Sequence, residues 1–200
     1  MRTLARRVML LAPAAAVVSC RSPNPALFTL APVPGVARPG GPRVVLLHQI
    51  ALARYLERPE IVRSSENYRL DVLANEIWGE PLGPMFGRVL GEDLAQRLPG
   101  TTVLSSNGAI SAPEDATVEV NLQRMDVDAT GALAFAAQAA VEFTKAHAPP
   151  VTRTISTSVP VAGPNTAEMV RAMSIATGRL ADMVAEVLRS PRTGRKGGSA

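Results

Sequence analysis

The chain has 200 residues, 46% of them hydrophobic and 19% charged, with one cysteine and a formal net charge of +4 at pH 7. That length suits one domain able to bury a core unaided, and a lone cysteine excludes an intrachain disulfide framework. The charge is misplaced for nucleic-acid binding: Arg2, Arg6, Arg7, Arg189, Arg192, Arg195 and Lys196 lie in the two ends, so residues 21–188 carry 14 basic against 17 acidic side chains, and no stripe of basic and aromatic residues runs through them.

The first element is an export signal. Arg2, Arg6 and Arg7 precede an apolar run of 11 residues from Val8 to Val18, interrupted only by Pro13. A bilayer core needs about 20 such residues, whereas a secretory signal needs a run of about this size. The run ends at Val17-Val18-Ser19-Cys20 and resembles a bacterial lipoprotein signal with those residues as the lipobox. The resemblance implies diacylglycerol on the Cys20 thiol, cleavage between Ser19 and Cys20, and acylation of the new amino terminus. Two or more acyl chains, at about 0.8 kcal/mol per buried methylene, anchor stably where one does not. In lipoproteins of this kind an Asp after the cysteine favours retention at the inner membrane; Arg21 stands there, so the expected location is the periplasmic face of the outer membrane. The expected partition is a signal peptide over 1–19, a lipid-anchored linker over 20–25, a folded domain over 26–188 and a basic disordered tail over 189–200.

Within the folded part, Ala26–Leu30 reads as a short strand, and the Pro- and Gly-rich stretch from Ala31 to Arg43 as a loop. Val44–Leu52 is a nearly continuous apolar run, consistent with a strand buried on both faces. Tyr68–Leu73 predicts another short strand. Leu82, Phe86, Leu90, Leu94 and Leu98 recur at i, i+4 and predict a helix ended by Pro99-Gly100. The same helix carries Gly83, Gly87, Gly91 and Ala95 four apart. Each interior glycine costs about 1 kcal/mol relative to alanine, so a sheet or helix must approach that stripe closely; Arg88, Glu92, Asp93 and Arg97 exclude a membrane span. Thr101–Leu104 predicts a short strand. Val118, Val120 and Leu122 share one parity while Met125 and Val127 take the other, which predicts a bulge near Gln123-Arg124. Asp128–Gly131 is a turn, and Leu133, Phe135, Ala137, Ala139, Val141 and Phe143 mark the inward face of a returning strand. Val151–Val161 predicts a further strand. Asn165, with Glu168 three residues on, caps a last helix that buries Met169, Met173, Ala176, Leu180, Met183 or Val184, and Val187. The fold class is α+β: a single domain with a mainly antiparallel, mixed sheet and both helices packed on one face.

Reactive constellations are absent from the sequence. His48 and His147 lie far apart without metal-ligand spacing. No nucleophile elbow, P-loop or dinucleotide fingerprint occurs. Glu80, beside Trp78, is a carboxylate without a paired acid, base or nucleophile. No catalytic residue, metal or cofactor is assigned, and the expectation is a protein that is not an enzyme.

Three stretches together resemble the PqiC/YmbA family, the auxiliary lipoproteins of MCE-type ABC transport systems. They are Ala26-Leu-Phe-Thr-Leu30; Leu52-Ala-Arg-Tyr-Leu-Glu-Arg-Pro-Glu-Ile-Val62, similar to a P-x-Y-L-x-R-P-x-I-V block; and Trp78-Gly-Glu-Pro-Leu82 running into Val89–Ala95, similar to a W-x-E-P-L block and its helix. Ala53-Arg54 departs from the proline that often stands ahead of the tyrosine, and the glycine stripe departs from larger residues. The resemblance implies a non-enzymatic lipoprotein that engages an MCE-domain protein in lipid transport between the membranes, with self-association as a further expectation. The alternative is an outer-membrane lipoprotein assisting lipopolysaccharide or cell-wall assembly machinery. Tyr55, Arg58 and Pro59 follow one element, and Trp78 and Glu80 precede another. Element ends carry function, and Tyr, Trp and Arg are hot-spot residue types, so these five are the expected partner-binding set.

Overall fold

Among the described residues, period-two and period-four hydrophobicity resolve into nine strands and two helices around one core. The computed structural model describes residues 24–145 and 149–190; the expected signal, Cys20, His147 and the expected tail beyond Ser190 lie outside them. Strands β1 (Ala26–Phe28), β4 (Glu60–Ser64) and β5 (Asp71–Trp78) form a three-stranded sheet in the order β1-β5-β4. Strands β2 (Val44–Leu47), β3 (Ala51–Leu52), β6 (Thr102–Ser105), β7 (Ala116–Val127), β8 (Ala132–Phe143) and β9 (Val151–Pro160) form a second sheet. Its order is β6-β2-β7-β8-β9, with β3 also paired to β7. Pairing is parallel for β6-β2-β7 and antiparallel for β7-β8-β9, so the sheet is mixed. Helices α1 (Leu82–Arg97) and α2 (Thr166–Arg189) pack on one face of it. No helix among the described residues is long and apolar enough to cross a membrane.

The α+β class and the mixed sheet are as the sequence predicts. The expected alternation appears in β7 and β8: Val118, Val120, Leu122, Leu133, Phe135, Ala137, Ala139 and Val141 are all buried. The register shifts between Leu122 and Arg124, where the parity changes. Asp128–Gly131 closes the hairpin; Gly131 takes φ +81°, a conformation that favours glycine. Asp128 Oδ1 accepts from Thr130 N–H at 2.8 Å. Asn165 accepts from Glu168 N–H at 2.9 Å and starts α2.

Two expectations change. The Val44–Leu52 run is not one strand, because Leu47 pairs with Val118 while Ala51 pairs with Asn121. Four steps on one side meet three on the other, and the extra residue lifts His48–Ile50 out of the ladder. Only Val45 and Leu47 of β2 are fully buried, so the run is not covered on both faces. The displaced Ile50 accounts for Gly87, where a Cβ would lie 3.3 Å from Ile50 Cγ1; at Gly83 and Gly91 a Cβ would meet Leu52 Cδ1 at 3.6 Å and Val103 Cγ1 at 3.8 Å, ordinary contacts. The Tyr68–Leu73 strand begins instead at Asp71 and runs on to Trp78, because Asn67 and Tyr68 take positive φ in a turn.

A buried arginine joins the helices to the loop between β1 and β2. Arg97 is 2% exposed. Its Nε donates to Asp182 Oδ1 at 2.6 Å, and one terminal nitrogen donates to the Val33 and Asp93 carbonyls, each at 3.1 Å. Asp93, fully buried, accepts the Val33 N–H at 2.8 Å. Burial pushes the Asp93 carboxyl above its ordinary value, against the Val33 N–H and Arg97, which pull it down. A Cβ on Gly35 would lie 2.3 Å from the guanidinium carbon, so any side chain there would displace the buried guanidinium from its partners.

A second polar seam closes the bulge. Asp126 is fully buried and accepts Tyr55 O–H and Ser65 O–H, both at 2.8 Å, and Arg124 Nε at 2.9 Å. Tyr55 Oη in turn accepts Met125 N–H at 3.4 Å, so the 3-10 turn at Arg54–Leu56 pins the irregular edge of β7. Burial first, then the bond to Asp126, pushes the Tyr55 phenol well above its ordinary value.

Two outcomes follow for urea unfolding. Arg97→Ala leaves a buried carboxylate unpaired and is expected to cost about 3–5 kcal/mol. Asp182→Ala, whose side chain is 58% exposed, removes the acceptor of the buried Nε but leaves Asp93 to balance the charge, and is expected to cost about 1–3 kcal/mol; a loss as large as that of Arg97→Ala would refute Asp93 as the main counter-charge. Tyr55→Phe is expected to cost about 1 kcal/mol near neutral pH. The raised phenol contributes stability that is complete below the unfolded value of about 10 and is lost as pH rises past it. The gap between wild type and Tyr55→Phe should therefore close above pH ~10, and a gap constant with pH would refute the assignment.

Candidate partner-binding cleft

The end of β5 and the start of α1 meet the end of β3 in a cleft of about 560 Å³. Backbone bonds hold its walls: Trp78 N–H donates to Pro59 O, and Gly79 N–H to Phe28 O, both at 2.8 Å. Ile50, Leu52, Trp78 and Leu82 supply apolar lining, and Glu57, Arg58 and Glu80 supply charge. Trp78 is buried in the common core, so its ring anchors the entry to α1 as well as lining the cleft. The volume falls in the range of ligand sites, about 300–1,000 Å³.

Four of the five expected residues come together here: Arg58, Pro59, Trp78 and Glu80 all line the cleft. Tyr55 does not; its hydroxyl is committed to Asp126. Arg58 and Glu80 do not pair with each other. Glu80 takes Arg88 at 2.6 Å, and this bond holds the Arg88 guanidinium above its ordinary value. Arg58 Nε is buried without a hydrogen-bond partner among the described residues. Helix α1 starts at Pro81 with no side-chain cap and no acid in its first turn. An unpaired guanidinium beside an uncapped helix start favours a carboxylate from a binding partner.

Gln49, Ile50, Glu57 and Pro84 also line the cleft and were not among the expected residues. Glu57 lies inside the Leu52–Val62 block and was within reach of sequence reasoning. Gln49 and Ile50 were hidden by the apparent continuity of the Val44–Leu52 run. His48 lies outside this cleft, and no group of three or more His, Cys, Asp or Glu that could hold a metal occurs among the described residues.

A solved structure of an uncharacterised protein superimposes with a TM-score of 0.69 at 16% identity, over 82% of this chain and 99% of its own. A protein of Xanthomonas campestris gives 0.65 at 17% identity, over 83% and 95%. At such identities the likeness concerns the fold alone. Among curated proteins none matches the chain. The sequence profile of the ABC-type transport auxiliary lipoprotein components matches residues 28–185, from the end of β1 into the last turns of α2, and the chain therefore belongs to that family.

Proposed function

We propose that this protein is a non-enzymatic component of an MCE-type lipid transport system, anchored through Cys20 to the periplasmic face of the outer membrane, and that it binds the MCE-domain protein through the cleft at Arg58, Pro59, Trp78 and Glu80. An auxiliary component of a transporter needs a docking surface. The observation that carries the choice of surface is the buried Arg58 Nε, which lacks a hydrogen-bond partner among the described residues at an apolar cleft of ligand size. A buried donor left unmade is costly, and a carboxylate from the MCE protein would satisfy it while an adjacent apolar side chain fills the lining. Tyr55 serves this surface indirectly, by bracing the turn that leads to Arg58. Lipid transit through water needs an apolar path, since each exposed methylene costs about 0.8 kcal/mol, and a lipid-anchored cap would hold such a path against the bilayer.

Truncating a hot-spot arginine typically costs about 2 kcal/mol, roughly thirtyfold in affinity. Arg58→Ala, with melting temperature unchanged, is expected to weaken co-purification with the MCE protein by that order, and full recovery of the complex would overturn the site. Metabolic labelling with a fatty-acid probe is expected to mark the wild type and not Cys20→Ser, with the wild type in the outer-membrane fraction. Equal labelling of both would overturn the anchor, and a labelled protein confined to the inner membrane would overturn the location.

A further inference from the structure

The turn between β4 and β5 displays an aromatic side chain where a stable turn would place none. Tyr68 is fully exposed and Leu70 is 42% exposed. Arg69 N–H donates to Glu66 O at 3.1 Å, which closes a four-residue turn whose two central residues, Asn67 and Tyr68, have φ of 54° and 60°. Positive φ at both central positions marks the type I′ turn, whose favoured pair is Asn-Gly. A bulky residue in the left-handed region is an outlier, and such outliers concentrate at functional positions.

The placement of the turn supplies the ligand. β1 runs parallel to β5 with Ala26 opposite Glu76, so the chain ahead of Ala26 arrives from the end of β5 that carries the turn. Asp71 lies five residues before Glu76, about 17 Å along a strand. Cys20 lies six residues before Ala26, a reach of at most about 20 Å. Acyl chains on Cys20 therefore hold their bilayer within reach of Tyr68. The acids beside the turn, Glu66 and Asp71, are paired to Arg124 and Arg63. Arg69 is exposed and has no ion-pair partner among the described residues.

We propose that the β4–β5 turn seats on the membrane surface, with Tyr68 and Leu70 in the interfacial layer and Arg69 on anionic headgroups of the same bilayer that holds the Cys20 lipid. Tyrosine is suited to that layer, with an apolar ring and a wet hydroxyl, and a single basic side chain adds attraction to anionic lipid. The proposal rests on the reading of Cys20 as the anchored residue.

The test uses the full-length protein expressed with its signal and reconstituted into phosphatidylethanolamine–phosphatidylglycerol vesicles with brominated acyl chains. Intact mass and flotation report the anchor separately from the turn. A tryptophan placed by Tyr68→Trp is expected to be quenched at least twofold more than one placed by Val36→Trp, an exposed site beside the C-terminal ends of the helices, after subtraction of the signal from Trp78. Equal quenching of the two in a lipidated, floated protein would overturn the turn proposal and leave the anchor standing. A wild type without lipid would overturn the anchor and, with it, the placement of the turn. Tyr68→Gly relieves the backbone outlier and is expected to raise the melting temperature by roughly 2–4 °C; a lowered one would mean that Tyr68 serves the fold, and would equally overturn the proposal.

Discussion

The fold turns on one buried cation. A guanidinium carries five donors in a fixed fork, and taking it out of water costs several kcal/mol unless those donors are satisfied. Arg97 meets that demand with groups from three places in the chain: Asp93 on its own helix, Asp182 on α2, and the Val33 carbonyl in the loop between β1 and β2. Each partner is fixed by the same demand, so the two helices and the loop are held in one arrangement. Arg38 N–H donates to the Arg97 carbonyl at 3.1 Å and extends the hold along the loop. The apolar core contributes most of the stabilisation, including the stacked pair Phe86–Phe135 with centroids 6.4 Å apart. Hydrophobic burial is non-directional; the polar cluster supplies the direction.

Asp126 plays the complementary part on the sheet. A bulge in β7 leaves an irregular edge, and an unpaired edge is a liability for a β protein. Tyr55, Ser65 and Arg124 converge on one carboxylate there, bringing the 3-10 turn and the β4–β5 hairpin against the second sheet. The three-stranded sheet is thereby located by polar contacts as well as by the common core. Its central strand, β5, carries the exposed turn at one end and the cleft at the other. In the proposed reading it spaces a partner site from a bilayer by about 23 Å, the length of an eight-residue strand.

The elements legible in the sequence were those whose signal is local. The i, i+4 leucines of α1, the Asn165 cap and the parity change in β7 each report on neighbours within a few residues, and each appears in the structure where the pattern places it. Features set by distant partners were not legible. The break at His48–Ile50 arises from a mismatch with β7, some 70 residues away, and nothing in an apolar run encodes it. The strand β4 is short, polar and bulged, so it lacked any periodic signal. Arg97 and Asp93 served in the sequence only to exclude a membrane span, because burial of a charge depends on a loop 60 residues upstream. The cleft was partly legible: two motif blocks named four of its residues, while Tyr55, carried by the same motif, proved to serve the bulge.

The arm that leads from the amino terminus has one further property, and it is mechanical. Leu30 N–H is held by Met85 Sδ at 3.3 Å, Ala31 N–H by Ser174 Oγ at 3.2 Å and Val33 N–H by Asp93, just behind the parallel ladder of β1 on β5. Tension applied ahead of Ala26 runs along that ladder, so its hydrogen bonds are loaded in shear and must yield together rather than peel one at a time. Behind them the load passes into both helices at once. A chain fastened in this way has no slack between its first strand and its core, and a pull at the amino terminus moves the domain as a rigid body before it unravels any of it.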